Sequence, residues 1–470
     1  MEKWKWYSIS IISNILNSYS YKFDLYNIIY NIKYYIMEYS SISKELTNKL
    51  NKLIKKDNGI FFTPPSCINN NLNILKQYIT IKELQDRPIK CLSNSKELQD
   101  RQMVCLEPSC GSCEYITAIN KLYPNINITG IEYNETIYES ISHLNSDKIN
   151  IFNMDFLKYK TNIKYDLIIG NPPYFVMKKQ NVDKEYHKYF EGRPNIFILF
   201  IIKCLYLLND DGILSFVLPK NFLNCLYYNN TRKFICENYI ILDIVDCSND
   251  KYLETQQDTI ILIVKNSNDK NFNFKNNNAQ FIINNSVKEF FVFATKNDIN
   301  DINKLYENSK SLWDLGFKVS VGNIVWNQCK NILTDDNKKT RLIYSSDIIG
   351  NELSIKKYNN KEKKNFIDKI GINKPMIVLN RGYGVGEYKF NYCLLDPKKI
   401  QHKSFLIENH LICIEYKDIL SDDLLLIKFN KILESFTNEK TINFIKLYFG
   451  NNAINTTELN YILPIYDLIL

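Results

Sequence analysis

Histidine is scarce in this 470-residue chain, and long apolar runs are missing. Four histidines (His143, His187, His402, His410) and one CxxC pair, Cys110 and Cys113, cannot complete a structural zinc set, so no metal is expected. The twelve cysteines therefore read as free thiols in a reducing compartment. No uncharged apolar stretch reaches the roughly 18 residues of a membrane span. The nearest candidate, Ile196 to Leu208, is interrupted by Lys203 and reads as a buried helix. The N-terminus (Met1-Glu2-Lys3-Trp4-Lys5-Trp6) lacks a compact apolar segment with a small-residue cleavage site, which speaks against secretion. An intracellular protein with no membrane partner is expected, in cytoplasm or nucleoid, or in the host cell if the source is viral. A phosphate-cradling glycine loop is also missing. The turn Glu107-Pro108-Ser109-Cys110-Gly111-Ser112-Cys113 has the strand-to-helix setting for one but carries a single glycine, which excludes a P-loop.

What is present is ordinary in bulk and informative in order. The apolar share of 45% and charged share of 23% suit a soluble globular chain, and the length allows two or three domains of roughly 100–200 residues. Abundant Asn, Ile and Lys reflect AT-rich codons rather than function. Residues 1–57 carry apolar positions at mixed helical spacing (Trp6, Ile9, Ile12, Ile15, Leu16) and predict an N-terminal helical segment. Residues 58–266 alternate strand-like runs with longer helical patterns, which predicts an α/β domain built on a parallel sheet with crossover helices. The strand candidates are Met103–Leu106, Ile128–Glu132, Ile149–Met154, Tyr165–Gly170, Gly212–Leu218, Ile240–Asp246 and Thr259–Val264. Before the first of them, Lys82-Glu83-Leu84-Gln85-Asp86-Arg87 recurs as Lys96-Glu97-Leu98-Gln99-Asp100-Arg101, a loop insertion without assigned function. A polar, aperiodic stretch around Lys265–Asn278 separates this domain from an irregular α+β domain over 267–470.

Chemistry concentrates at the strand ends. Tyr165–Gly170 runs into Asn171-Pro172-Pro173-Tyr174, a proline-stiffened turn that offers an amide, a backbone carbonyl and an aromatic ring. That set suits a planar base with an exocyclic amine. Upstream, Glu107 and Gly111 end the first strand, Glu132 ends the second and can accept from ribose hydroxyls, and Asp155 with Phe156 follows the third. Each carboxylate alone is also a plain strand-end solubiliser. Together they describe an adenosine pocket without phosphates, which favours S-adenosyl-L-methionine over a dinucleotide.

The order of Phe61-Phe62-Thr63-Pro64-Pro65, Glu107-Pro108-Ser109-Cys110-Gly111, Glu132, Asp155-Phe156 and Asn171-Pro172-Pro173-Tyr174 resembles the gamma-class, TaqI-type DNA adenine-N6 methyltransferases of type II restriction–modification systems. Gly192-Arg193-Pro194-Asn195-Ile196-Phe197 and Val217-Leu218-Pro219-Lys220 fit the same pattern. The resemblance implies a Rossmann-like seven-stranded S-adenosylmethionine-dependent domain followed by a target-recognition domain. It also implies methyl transfer to N6 of an adenine flipped out of double-stranded DNA. By position, Thr63, Pro64, Glu107, Pro108, Gly111, Glu132, Asp155 and Phe156 would bind the cofactor. Asn171, Pro172, Pro173 and Tyr174 would be catalytic, with Tyr174 stacking on the target base. One departure is Cys113, where most relatives carry a second glycine. Tyr252 and Leu253 both stand where the family places a base-stacking aromatic before the seventh strand. A monomer is expected, with a separately encoded restriction endonuclease as partner. Asn-Pro-Pro-Tyr also occurs in RNA adenine and protein-glutamine methyltransferases, and Cys113 hints at a catalytically dead DNA-binding relative.

The chain carries a formal charge of +8, and an excess of equal size sits between Lys356 and Lys403, with twelve Lys/Arg against four Asp/Glu. This stretch reads either as a solvated loop or as a phosphate-tracking face using Lys356, Lys357, Lys398 and Lys399. Within it, Arg381-Gly382-Tyr383-Gly384 is either a hairpin turn or a loop that brings Arg381 and Tyr383 to DNA.

Overall fold

A computed structural model of the chain describes residues 38–79, 102–255, 257–267, 280–284, 288–354, 356, 358, 360–381, 390–400, 403–448 and 454–466. The tandem repeat, the apolar positions before residue 38, Lys357, and Gly382 to Gly386 with Tyr383 lie outside them. The chain forms two compact units. The first holds residues up to 188 together with 192–220 and 238–274, and the second holds 189–191, 221–237 and 275–470. A single cut near residue 266 therefore does not separate them.

The first unit is a seven-stranded sheet in the order β3-β2-β1-β4-β5-β7-β6. Its strands are β1 (Val104–Glu107), β2 (Asn127–Glu132), β3 (Ile149–Asn153), β4 (Tyr165–Gly170), β5 (Leu208–Pro219), β6 (Ile240–Asp246) and β7 (Thr259–Lys265). β4 and β6 coincide with their predicted ranges, and the others shift mostly by one residue. The first five strands pair in parallel. β7 departs from the parallel pattern, lying antiparallel between β5 and β6. An apolar run carries no direction, so this reversal is not readable from composition. β7 (Thr-Ile-Ile-Leu-Ile-Val-Lys) is buried from Thr259 to Val264 because it is interior to the sheet and covered on both faces.

Helices α1 (Ser41–Lys49), α2 (Lys52–Asn58), α3 (Pro65–Leu75), α4 (Glu114–Leu122), α5 (Glu135–Ile141) and α6 (Ile196–Leu207) belong to this unit. Leu46 of α1 and Leu50 just after it join Ile68, Leu72, Ile116, Ile128 and Leu167 in one buried cluster, so α1 packs on the sheet core. Helix α6 is apolar on nearly every side, as a helix buried almost all round requires. No described helix is long and apolar enough to cross a membrane. The chain order reverses between β1 and β4, which opens a crevice at the carboxyl edge of the sheet.

The second unit is α+β, as expected. Strands Phe317–Val321, Leu411–Tyr416, Met376–Asn380 and Tyr392–Leu395 form one sheet, and Leu333–Thr334, Phe366–Ile367, Thr340–Ile343 and Phe405–Ile407 form another. Helices Asp422–Thr437 and Glu439–Tyr448 bring Phe429, Phe436 and Phe444 into a core with Phe317 and Ile377. Helix α7 (Asn229–Asn238) precedes β6, yet most of it belongs to this unit. Its buried Arg232 donates to the carbonyls of Phe291 (2.5 Å), Phe222 (2.8 Å) and Cys225 (2.9 Å). Asn229 accepts from Phe291 N at 2.8 Å, and Thr231 donates to Tyr189 O at 2.6 Å. Three carbonyls without their cation would be costly in a dry site. Arg232→Met should lower unfolding stability by about 3 kcal/mol in urea titrations, and a loss under about 1 kcal/mol would show that these bonds add little net stability.

Candidate active site

The end of β2 and the residues that follow β1, β3 and β4 border a cavity of about 290 Å³. Pro108, Gly111, Glu132, Asp155 and Phe156 line it, as do Asn171 and Pro173. The residues expected at the cofactor and the Asn-Pro-Pro-Tyr turn therefore share one cavity. Other predicted residues stand behind it. Glu107, Thr63, Pro64, Pro172 and Tyr174 are not among the lining residues. The Phe61–Pro65 segment contributes through Phe61 and Phe62, with Asn58, Gly59 and Ile60 before them, not through buried Thr63 and Pro64. Thr63 and Pro64 lead directly into α3, which carries them into the packed interior. Sequence reading also missed Tyr133, 68% exposed beside Glu132, and Phe200 of α6, both in the lining.

Glu132 organises the entrance. Its Oε2 accepts from Gly111 N at 2.9 Å and its Oε1 from Asn134 N at 2.7 Å, which ties the β1 turn to the end of β2. Burial pushes its carboxyl up to about 7 against the lowering effect of those two backbone N–H groups. Burial also holds Glu107 well above the usual carboxylate range, with the Cys113 thiol adding to the effect. Glu107 Oε2 is buried and has no hydrogen-bond partner. Asp155 caps the short turn Phe156–Lys158 by accepting from Leu157 N at 2.9 Å. Glu132 and Asp155 in the lining, with buried Glu107 and its orphaned Oε2 behind them, fit a ligand carrying positive charge and several donors. They do not fit a diphosphate.

Cys113 occupies a left-handed conformation (φ 61°, ψ 28°) at the start of α4, the backbone state in which glycine is least strained. It is fully buried, and the left-handed backbone costs it about 1 kcal/mol.

The Asn-Pro-Pro-Tyr turn is held by neighbours on three sides. Asn171 Nδ2 donates to Phe61 O at 3.3 Å, which directs its Oδ1 toward Tyr174. The Tyr174 hydroxyl lies 2.5 Å from Asn171 Oδ1 and 2.8 Å from Val217 O on β5, and its one proton serves one acceptor at a time. The Tyr174 ring is half-buried and meets Phe197 edge-on at 6.0 Å. After the turn, Met177 N donates to Pro194 O at 2.8 Å and Ile196 N to Phe175 O at 3.0 Å. These bonds place the Gly192–Phe197 segment beside it. Of the two residues before β7, Tyr252 is buried with its hydroxyl on Thr259, while Leu253 is 46% exposed.

Gly59 closes the turn from behind. It ends α2 at φ +63°, and a Cβ there would lie 2.6 Å from Tyr174 N and 3.3 Å from Pro173 C. Both obstacles are backbone. The only signal in the sequence was a glycine just after a helix, which reads equally as an ordinary cap.

Cys67, Cys247 and Asp250 bring their ligand atoms within 4.8 Å of one another, a grouping the sequence spacing did not reveal. The two thiols are hydrogen-bonded to each other, and Asp250 accepts from Ser66. The eleven described cysteines are free.

In the second unit, Lys356 and Lys399 are exposed, and Arg381 uses its carbonyl to accept from Ile454 N at 3.1 Å. Lys398 stands 3.5 Å from both Asp422 and Asp423, which offsets part of its charge.

Residues 33–253 match the Eco57I restriction-modification methylase family. The resemblance to type II restriction–modification methylases is thereby borne out. The chain is 25% identical to the type II methyltransferase M.CvrRI of Paramecium bursaria Chlorella virus XZ-6E over 88% of this chain and 95% of that one. It is 29% identical to the modification methylase CviBIII of Paramecium bursaria Chlorella virus NC1A over 45% of this chain and 49% of that one. It is 29% identical to the type II methyltransferase M.AccI of Acinetobacter calcoaceticus over 30% of this chain and 27% of that one. These matches support S-adenosyl-L-methionine as the cofactor, in keeping with the acidic, phosphate-averse cavity.

Gly59→Ala should destabilise the first unit by about 2 kcal/mol, from strained φ plus displacement of the turn backbone. Methyl transfer should fall further than stability alone explains. Thermal melting and turnover measured together check this, and a fully active variant with an unchanged melting point would contradict it.

Proposed function

We propose that this chain is a site-specific DNA methyltransferase that moves a methyl group from S-adenosyl-L-methionine to the N6 amine of an adenine flipped out of double-stranded DNA. The family match and the type II relatives support DNA methylation in a restriction–modification setting. The choice of adenine N6 rests on the turn, and one observation carries it. Asn171 and Pro173 line the same cavity as Glu132, Asp155 and Phe156, so methyl donor and acceptor would meet there.

The cofactor, when bound, supplies a methyl group made electrophilic by a sulfonium. Glu132 and Asp155 would hold it through its cationic and hydroxyl groups, with Phe156 against the adenine and Glu107 behind that wall. The target amine is a poor nucleophile because its lone pair is delocalised into the ring. Asn171 Oδ1 and the Pro172 carbonyl accept from its two N–H groups and hold developing positive charge where it forms. The Asn171 amide is already oriented by Phe61 O, so this geometry costs little reorganisation. When the Tyr174 hydroxyl donates to Val217 O, Asn171 Oδ1 is released for the incoming amine. The Tyr174 ring then stacks on the flipped base, offsetting part of the few kcal/mol spent on unstacking. No base is needed before transfer, since the proton leaves from the product ammonium.

The second unit is proposed as the target-recognition domain, with Lys356, Lys399 and Arg381 at DNA. The enzyme acts as a monomer alongside a separately encoded endonuclease. Transfer of labelled methyl from cofactor to duplex DNA, followed by nucleoside analysis, tests the assignment. Label recovered as N6-methyladenine supports it, and label confined to RNA or to protein glutamine overturns it. Asn171→Ala should lower the transfer rate by about 10²–10³ while cofactor affinity stays near wild type. Equal loss of both would count against the role given to Asn171.

Glu132 makes the cofactor affinity depend on pH. With its carboxyl at about 7, the ionised form that accepts from ribose hydroxyls grows in as pH rises from 6 to 8. Affinity should rise over that window, measured by calorimetry, and flatten in Glu132→Gln. Stability of the unliganded protein runs the other way. The share gained from a raised carboxyl is full below its unfolded pKa and is lost as pH rises through about 7. A wild-type cofactor affinity independent of pH across that window would remove Glu132 from the ribose.

A further inference from the structure

Lys203 is the one charge in the apolar helix α6, and its surroundings explain why it is there. Its Nζ donates to Phe156 O at 2.7 Å, Leu157 O at 2.8 Å and Tyr159 O at 2.7 Å. An ammonium has three donors, and all three are engaged by one short loop. The same nitrogen lies 4.9 Å from the centroid of the Phe156 ring, and Phe200 packs on that ring at 4.9 Å. Three carbonyl dipoles converging on one point repel one another unless a cation sits between them. Ile196, Phe200 and Lys203 are spaced i, i+4, i+7, so they share a helix face, and the first two line the cavity.

We infer that Lys203 is a positioning residue for the cofactor: it fixes the Asp155–Tyr159 loop so that Asp155 and the Phe156 ring are set to receive the adenine. This rests on the S-adenosyl-L-methionine reading above. Helix α6 thereby serves two parts of the site, since Phe197 in its first turn packs on Tyr174 while Lys203, further along the helix, clamps the cofactor wall. The lysine touches no reacting atom. Its effect is on affinity rather than on the chemical step.

The test uses the full chain, with S-adenosylhomocysteine as the binding probe and labelled S-adenosylmethionine for kinetics. Lys203→Met should raise the Kd for S-adenosylhomocysteine and the KM for S-adenosylmethionine at least tenfold. Its kcat at saturating cofactor and its Kd for duplex DNA should stay within about twofold of wild type. Lys203→Gln, which keeps two N–H donors without the charge and serves also if the Met variant fails to fold, should show a smaller rise. Lys203→Arg should recover part of the affinity. A folded Met or Gln variant that binds S-adenosylhomocysteine as wild type does overturns the role of Lys203 alone. A fall in kcat with unchanged KM also overturns it. Wild-type protein that binds no S-adenosylhomocysteine would instead sink the cofactor reading on which the proposal stands.

Discussion

The candidate site depends on how closely two backbones approach one another. Gly59, at the end of α2, sits where any Cβ would strike the main chain of Pro173 and Tyr174. The approach leaves no space for the turn to relax backward. Combined with two prolines, which fix φ on the other side, it makes the Asn171 amide a rigid object. Rigidity matters because an amide oxygen helps an amine only if it already points where charge will develop. Phe61, two residues after Gly59, then sets which end of the amide faces the cavity. One short segment therefore controls both the depth and the orientation of the turn.

A second constraint is electrostatic. Burial lifts the Glu107 and Glu132 carboxyls because the charged form lacks water, and an arriving cation would reverse that penalty. The two carboxyls are thus poised toward neutrality, and a positively charged ligand gains from returning them to their ionised state. A diphosphate would meet the opposite response. The single glycine of the β1 turn is consistent with this preference, since little bare backbone is offered to phosphate. Cys113 shows that the left-handed step into α4 is still required even where glycine is not used.

Much of this was legible in the sequence, and the gaps have physical causes. The β4 and β6 ranges, the acidic strand ends and the asparagine turn were readable because each is a local pattern ended by a breaker or a charge. Thr63 and Pro64 were placed at the cavity although it is Asn58 to Phe62 that line it; a motif gives order along the chain but not which of its residues faces in. The antiparallel β7 was invisible because pairing direction is a property of connections. Arg232 and helix α7 could not be assigned to the later unit from spacing, since their partners lie some 60 residues away. Lys203 was noticed only as an interruption of an apolar run, when its three acceptors are what make that interruption tolerable.

The basic stretch of the second unit shows why a charge count is not an interface. Lys363 sits between the rings of Tyr344 and Tyr358, 4.1 and 4.2 Å from their centroids, and so serves as packing as much as charge. Tyr358 in turn donates to Asp347, whose other oxygen pairs with buried Arg341 at 3.2 Å. Lys364 meets Asp335, and Lys398 faces Asp422 and Asp423 from a following helix. Acidic partners outside the Lys356–Lys403 window thus offset part of an excess that looked uncompensated within it. Exposed pairs of this kind are weak, about 0–1 kcal/mol, and a phosphate can compete for the same lysine. Lys363 differs, because leaving its aromatic slot would uncover two tyrosine rings, and the hydroxyl of one, Tyr358, also braces the Arg341–Asp347 pair. Direct contact with DNA is thus better sought at Lys356 and Lys399 than at the lysines that hold the fold together.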